Sequence, residues 1–201
     1  MSDRTAIERR EPRTVDRSGG QAGNRYTPAP AFTRPTAADG TAIWRFVRAA
    51  GTLEPNSAYA YMLLGAHFSA TSIVARRGEE VVGFVWAYLL PDRPDTVFVW
   101  QIGVAERSRG HGLGAAMLDA ILRRPSCADA RFLEATVTPS NDASMALFRS
   151  FARRRGAPIA LSTAFDSRQF PDPHHESEML LSIGLVHPIA EIGSNPKEDS
   201  T

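Results

Sequence analysis

The stretch VFVWQIGVAERSRGHGLGAAMLDAIL, residues 97–122, decides how the chain is read. It begins as a run that is apolar on both faces, the pattern of a strand in the middle of a sheet. It ends as a helix: Leu113, Ala116, Met117, Ala120 and Ile121 recur at i, i+3, i+4, i+7 and i+8 and share one face. Between them lies RGHGLG, residues 109–114, with three glycines in five positions. That much glycine in a mere connection costs conformational entropy, so it points to a ligand that comes close to the backbone. Successive amides of Arg109, Gly110, His111, Gly112, Leu113 and Gly114, at the positive end of a helix, can donate to phosphate oxygens.

The kind of phosphate ligand is narrowed by what the stretch lacks. Gly110, Gly112 and Ala115 fit G-x-G-x-x-[GA], but a dinucleotide fold runs its strand straight into the first glycine. Here residues 105–109 intervene. No Gly-Lys-Ser/Thr follows, so a nucleoside-triphosphate loop lacks its lysine. A kinase-type glycine loop leads into a strand, and this one leads into a helix. What fits is a diphosphate cradle without base recognition.

The surroundings are those of one domain. The chain has 201 residues, a hydrophobic fraction of 43% and a net charge of +1. That balance gives no global field toward nucleic acid or an anionic membrane. Arg123-Arg124 and Arg153-Arg154-Arg155 read as cations at helix ends. Cys127 is the one cysteine, which excludes an internal disulfide and a CxxC zinc site. The opening MSDRTAIERREPR has no apolar core of a signal peptide. No apolar run approaches the roughly 20 residues of a membrane span, so a cytoplasmic protein is expected. Residues 1–31 and 187–201 are poor in apolar side chains and read as a disordered N-terminal tail and a flexible C-terminal tail. The folded portion is expected over residues 32–186.

Within it, Thr36 and Asp39 form a capping-box pattern ahead of a helix carrying Ile43, Phe46, Val47 and Ala50, with Gly51 placed to end it. Ser57 can cap a second helix, AYAYMLLGAHF. TSIVARR and VVGFVWAYL, joined by GEE, read as a hairpin. RFLEATVT is a strand, PSND opens a helix with Leu147, Phe148 and Phe151 on one side, and PIALSTAF and MLLSIGLV are two last strands. The order β-α-α-β-β-β-α-β-α-β-β predicts an α/β protein: a mixed sheet with helices packed on it.

Strand, V-x-x-x-x-R-G-x-G-x-G and helix, followed by a strand and by Asn141, Ser144, Leu147 and Phe148 as N-x-x-[AS]-x-x-L-[FY], resemble the acetyl-CoA-binding core of the GNAT N-acetyltransferases. A narrower resemblance lies in GTLEPNSAYAYMLL, FVWQIGV, LEATVTPSNDASMALFRSFARRRGAP and HHESEMLLSIG. These are similar to the L-2,4-diaminobutyrate acetyltransferases of ectoine biosynthesis. The resemblance implies a GNAT fold, with a central, mostly antiparallel sheet and helices on both faces. It implies acetyl-CoA as cosubstrate, a small diamino acid acetylated on its γ-amine toward the compatible solute ectoine, and a homodimer. Other small amines, a protein lysine, or coenzyme binding without catalysis are the alternatives.

The resemblance also assigns roles. Backbone groups of Ile102 and Val104 pair with the acetyl and pantetheine arms, and an amide near Ile102 is the oxyanion donor. The amides of residues 109–114 hold the diphosphate, and Asn141 touches the coenzyme arm. Glu54, Asn56, Tyr59, Trp100 and Thr138 are the expected substrate contacts. Phe148 stands where many of these enzymes place a tyrosine, and it has no proton to give to the leaving thiolate. His175 and Glu178, in HHESE, are the expected base. Glu134, alone in an apolar strand, is costly unless paired and is expected in a structural ion pair. No metal is expected.

Overall fold

Thr36 accounts for the first turn. Its amide and hydroxyl both donate to Asp39 Oδ2, at 2.6 and 2.8 Å. The short turn thus fixed runs into α1 (Gly40–Ala50), which Gly51 ends in the left-handed region at φ 62°. Ser57 Oγ accepts the Ala60 amide at 3.2 Å and starts α2 (Ala58–His67). The computed structural model describes residues 28–51, 53 and 55–185.

Strands β1 (Ala31–Thr33), β2 (Ile73–Arg77), β3 (Glu80–Leu90) and β4 (Arg93–Val104) come next to one another in the sheet. Helix α3 (Leu113–Leu122) leads to β5 (Phe132–Val137), and α4 (Asp142–Arg154) leads to β6 (Ile159–Phe165) and β7 (Glu178–Gly184). The sheet order is β1-β2-β3-β4-β5-β7-β6, so the last strand inserts between the two before it. β4 and β5 run parallel, and the other neighbours antiparallel. This is the mixed, mostly antiparallel sheet that was expected.

Helices cover both faces, and β3 shows how. Val81, Phe84 and Trp86 pack with Ile43, Val47, Tyr61 and Leu64 of α1 and α2. Val82, Val85 and Ala87 pack with Leu113, Met117, Phe148 and Phe151 of α3 and α4. Alternation along one strand thus supplies two cores, with one slip of phase at Val82, where β3 bulges against β2. The buried face of α3 is not quite the expected one. Leu113, Met117 and Ile121 are buried, but Leu118 joins them and Ala116 is exposed.

The domain boundary also moves. Ala31 pairs with Arg76, and the Pro28 carbonyl accepts Arg77 Nε at 3.1 Å, so the fold begins before Phe32. Of the two expected tails, residues 1–27 and 187–201 lie outside the described residues. Among the described residues no helix is long and apolar enough to cross a membrane.

Candidate active site

β4 and β5 pair only from Thr96–Val99 to Phe132–Ala135, and beyond that they part. The cause lies on the other edge of β4. Gln101 pairs with Trp86 and Val99 with Ala87, so Trp100 has no partner on β3 and forms a bulge. Such an extra residue bends its strand and adds twist. At the closed end, Arg93 Nη1 and Nη2 donate to the two carboxylate oxygens of Glu134 at 2.8 and 2.6 Å, and Ser182 Oγ adds a third bond at 3.1 Å. Glu134 is therefore the structural pair its sequence context calls for, tying β4, β5 and β7 where the opening starts.

Past the bulge, the Ala105 amide donates to the Val82 carbonyl of β3 at 2.9 Å. By alternation, the backbone groups of Gln101 and Gly103 also face β3, while those of Ile102 and Val104 face the opening. The Val104 carbonyl is taken by Arg109 Nε at 3.1 Å. A coenzyme arm can therefore pair with both backbone groups of Ile102 and with the amide of Val104, whose carbonyl it would share with Arg109.

Two cavities meet in this opening. The first, of about 300 Å³, is floored by Ile102, Gly103 and Val104 and walled by Asn141, Ser144 and Leu147 of α4; the loop of residues 108–114 closes its end. Gly110 and Gly112 sit in the left-handed region at φ 76° and 75°, which only glycine enters without strain. Gly112 is the N-cap of α3, so the amides of Leu113, Gly114 and Ala115 have no intrahelical acceptor. No amide of residues 110–114 meets a backbone acceptor with hydrogen-bond geometry among the described residues. The Arg109 amide does: it donates to the Glu106 carbonyl at 3.0 Å. The cradle therefore starts at Gly110, one residue later than expected. His111 is exposed and turns its Nδ1 to the Arg109 carbonyl, 2.7 Å away, so only its amide belongs to the cradle. Asn141 caps α4, its Oδ1 accepting the Ser144 amide at 3.0 Å, and it lines both cavities.

The second cavity, of about 550 Å³, lies on the other side of Ile102 and Ser144. Asn56, Trp100 and Glu178 line it, as expected, together with Gln101, Thr136 and Tyr88. Burial pushes the Tyr88 phenol above its usual range, so it stays a neutral donor. Glu178 is the one carboxylic acid among the described residues that line it, and no basic side chain lines it. Three expectations fare differently, and a fourth is not reached. Tyr59 is 68% exposed and lines neither cavity; its neighbour Tyr61 is fully buried, donates to Gln101 Oε1 at 2.9 Å and accepts the Asn56 amide at 3.3 Å. Thr138 lies past the end of β5, outside the cavity, and Thr136 takes the lining position. The His175 ring stacks on Phe170 with centroids 3.8 Å apart and does not line the cavity. Glu54 lies outside the described residues.

Tyr59 and Tyr61 fall on different helical faces, and sequence reasoning chose Tyr59 of the two; it missed Gln101, whose bond to Tyr61 joins residues forty positions apart. It passed over Thr136 and Tyr88 for want of any motif, although Thr136 shares a face of β5 with Glu134. Among the described residues no group of three or more His, Cys, Asp or Glu side chains could hold a metal ion.

The comparisons with known proteins agree with this geometry. The model of the acetyltransferase (GNAT) family matches residues 42–152. The chain is 44% identical over 158 residues to the L-2,4-diaminobutyric acid acetyltransferase of Shouchella clausii, covering 79% of this chain and 88% of that one. It is 48% identical over 152 residues to that of Bordetella parapertussis, covering 75% and 82%. It is also similar to a solved structure of diaminobutyrate acetyltransferase EctA from Paenibacillus lautus in complex with its substrate L-2,4-diaminobutyric acid and coenzyme A. There the identity is 39% and the TM-score 0.75, over 82% of this chain and 98% of that one. Ard1 from Thermoplasma volcanium, 18% identical with a TM-score of 0.61, shares the fold alone. At such identity and coverage the chain belongs to the GNAT acetyltransferases and, among them, to the L-2,4-diaminobutyric acid acetyltransferase family.

Proposed function

We propose that this chain moves the acetyl group of acetyl-CoA to the γ-amine of L-2,4-diaminobutyrate. One observation carries the reading: a cleft lined by uncommitted amides opens, past Ile102 and Ser144, onto a pocket whose described residues include one carboxylic acid and no basic side chain. The first suits an anionic diphosphate, and the second suits a cationic amine.

The residues divide the work accordingly. Amides of residues 110–114 hold the diphosphate, where the helix dipole adds to their own. The Ile102 amide donates to the thioester oxygen as it gains negative charge, a contribution of about a hundredfold or more in comparable sites. Asn141 steadies the arm between the two cavities. Glu178 pairs with the substrate's ammonium and takes the proton of the γ-nitrogen, directly or through one water. The freed lone pair attacks the carbonyl carbon, the N–C bond forms, the nitrogen gives its second proton to solvent, and the C–S bond breaks. Phe148 cannot protonate the sulfur, and a thiolate whose conjugate acid has a pKa of about 8.5 leaves without help and is protonated by solvent. Asn56, Gln101, Thr136 and Tyr88 supply neutral donors and acceptors for the amino-acid end.

The product would feed ectoine synthesis in the cytoplasm of an osmotically stressed cell. β6 is an edge strand with Leu161 45% and Phe165 50% exposed. An apolar edge of this kind is an aggregation hazard unless covered, which supports a homodimer closed along it. Thiol release, measured with diaminobutyrate, ornithine and lysine in turn, tests the reading. Release with diaminobutyrate and far less with the others is expected; equal release with all three overturns the assignment.

A further inference from the structure

Ser108 is 4% exposed, and its Oγ is one of two buried side-chain polar atoms without a hydrogen-bond partner among the described residues. It is also part of the wall of the glycine-lined cleft. A buried hydroxyl left without a partner destabilises the fold, and native structures rarely keep one without a reason. The backbone here is fixed, because the Ser108 amide donates to the Ala105 carbonyl at 2.8 Å and closes the short turn Glu106–Ser108. Only the Cα–Cβ rotation remains, with its three staggered positions. The uncommitted amides begin at Gly110, two residues on.

We infer that Ser108 turns its hydroxyl into the cleft when coenzyme binds and donates a hydrogen bond to the diphosphate, beside the amides of residues 110–114. The inference rests on the reading of that cleft as the acetyl-CoA site. It goes further in making a side chain, and not the backbone alone, part of the cradle. The hydroxyl is then unsatisfied in the free protein and satisfied in the complex, so part of the binding energy is stored in the unliganded fold.

Ser108→Ala separates the two states. In the free protein the variant should melt at the wild-type temperature or above it, since an orphan hydroxyl has been removed. CoA should bind it about tenfold more weakly by calorimetry, the loss of one hydrogen bond to a charged acceptor. The KM for acetyl-CoA should rise in step while kcat holds. Pantetheine, which has no diphosphate, should inhibit wild type and variant alike. Equal CoA affinity in the two proteins overturns the inference while leaving the coenzyme site standing. A lower melting temperature of the free variant also overturns it, because the hydroxyl then had a partner already. A matching loss of pantetheine affinity moves the contact off the diphosphate and overturns it too. Failure of the wild type to bind CoA overturns both this contact and the reading of the cleft.

Discussion

At the scale of single residues, the coenzyme cleft is set by backbone conformation and the acceptor pocket by one carboxylate. A Cβ at Gly112 would meet nothing within 4 Å, so a side chain there does not collide with the protein. It is penalised by the positive φ, at roughly 1–2 kcal/mol, and it projects where a ligand must come close. Gly112→Val should therefore fold with a slightly lower melting temperature yet raise the KM for acetyl-CoA more than about tenfold, an excess over the strain that steady-state kinetics reads directly. Normal coenzyme affinity in the folded variant would remove the cradle. Glu178→Gln should depress kcat most at low pH, where the amine is fully charged and the need for a proton acceptor is greatest. A pH–rate profile parallel to that of the wild type would take Glu178 out of the proton transfer.

At the scale of elements, two carboxylates hold helices and strands in place. Burial alone would raise the Asp39 carboxyl; the Thr36 amide and hydroxyl and the Arg76 guanidinium outweigh it and hold the group below its ordinary value. With the folded pKa depressed, the contribution is complete above the unfolded pKa of about 3.9 and fades as pH falls through the folded value. Asp39→Asn should therefore lower stability by about 1 kcal/mol near neutrality, and the gap to wild type, followed by denaturant melts, should close as pH falls through the depressed folded value. The Arg93–Glu134 pair is lopsided, with side chains 52% and 4% exposed. Arg93→Ala strands a buried carboxylate and should cost about 3 kcal/mol, whereas Glu134→Gln leaves a guanidinium that water can reach and should cost less. Equal losses in the two variants would show that Glu134 is solvated after all. Much at this scale was legible in the sequence, because caps, helical faces and the lone Glu134 are local patterns. The bulge at Trp100 was not, since two residues against one exists only once β3 and β4 are paired. Nor were the positions of Tyr59 and Thr138, each settled by where its element ends or turns, or the diversion of His175 onto Phe170.

At the scale of the whole molecule, the exposed β6 edge makes an assembly prediction. Leu161→Lys places a charge on that edge, the device by which natural sheets refuse a further strand. If the proposed homodimer closes along this edge, the variant should sediment as a monomer in analytical ultracentrifugation with CoA affinity unchanged; a dimeric variant would place the contact elsewhere, and a monomeric wild type would remove the homodimer. The strand order has an outcome of its own. Every described residue that lines the coenzyme cleft lies before residue 148, but Glu178 opens β7, which slots between β5 and β6. Since a chain emerges from the ribosome N-terminus first, the nucleotide-handling half exists before any acid is in place to receive an amine. A polypeptide stopped short of β7 leaves β5 and β6 without their common neighbour. On the proposed role of Glu178, capacity to use up acetyl-CoA arrives only with β7, and copies stopped before it stay silent.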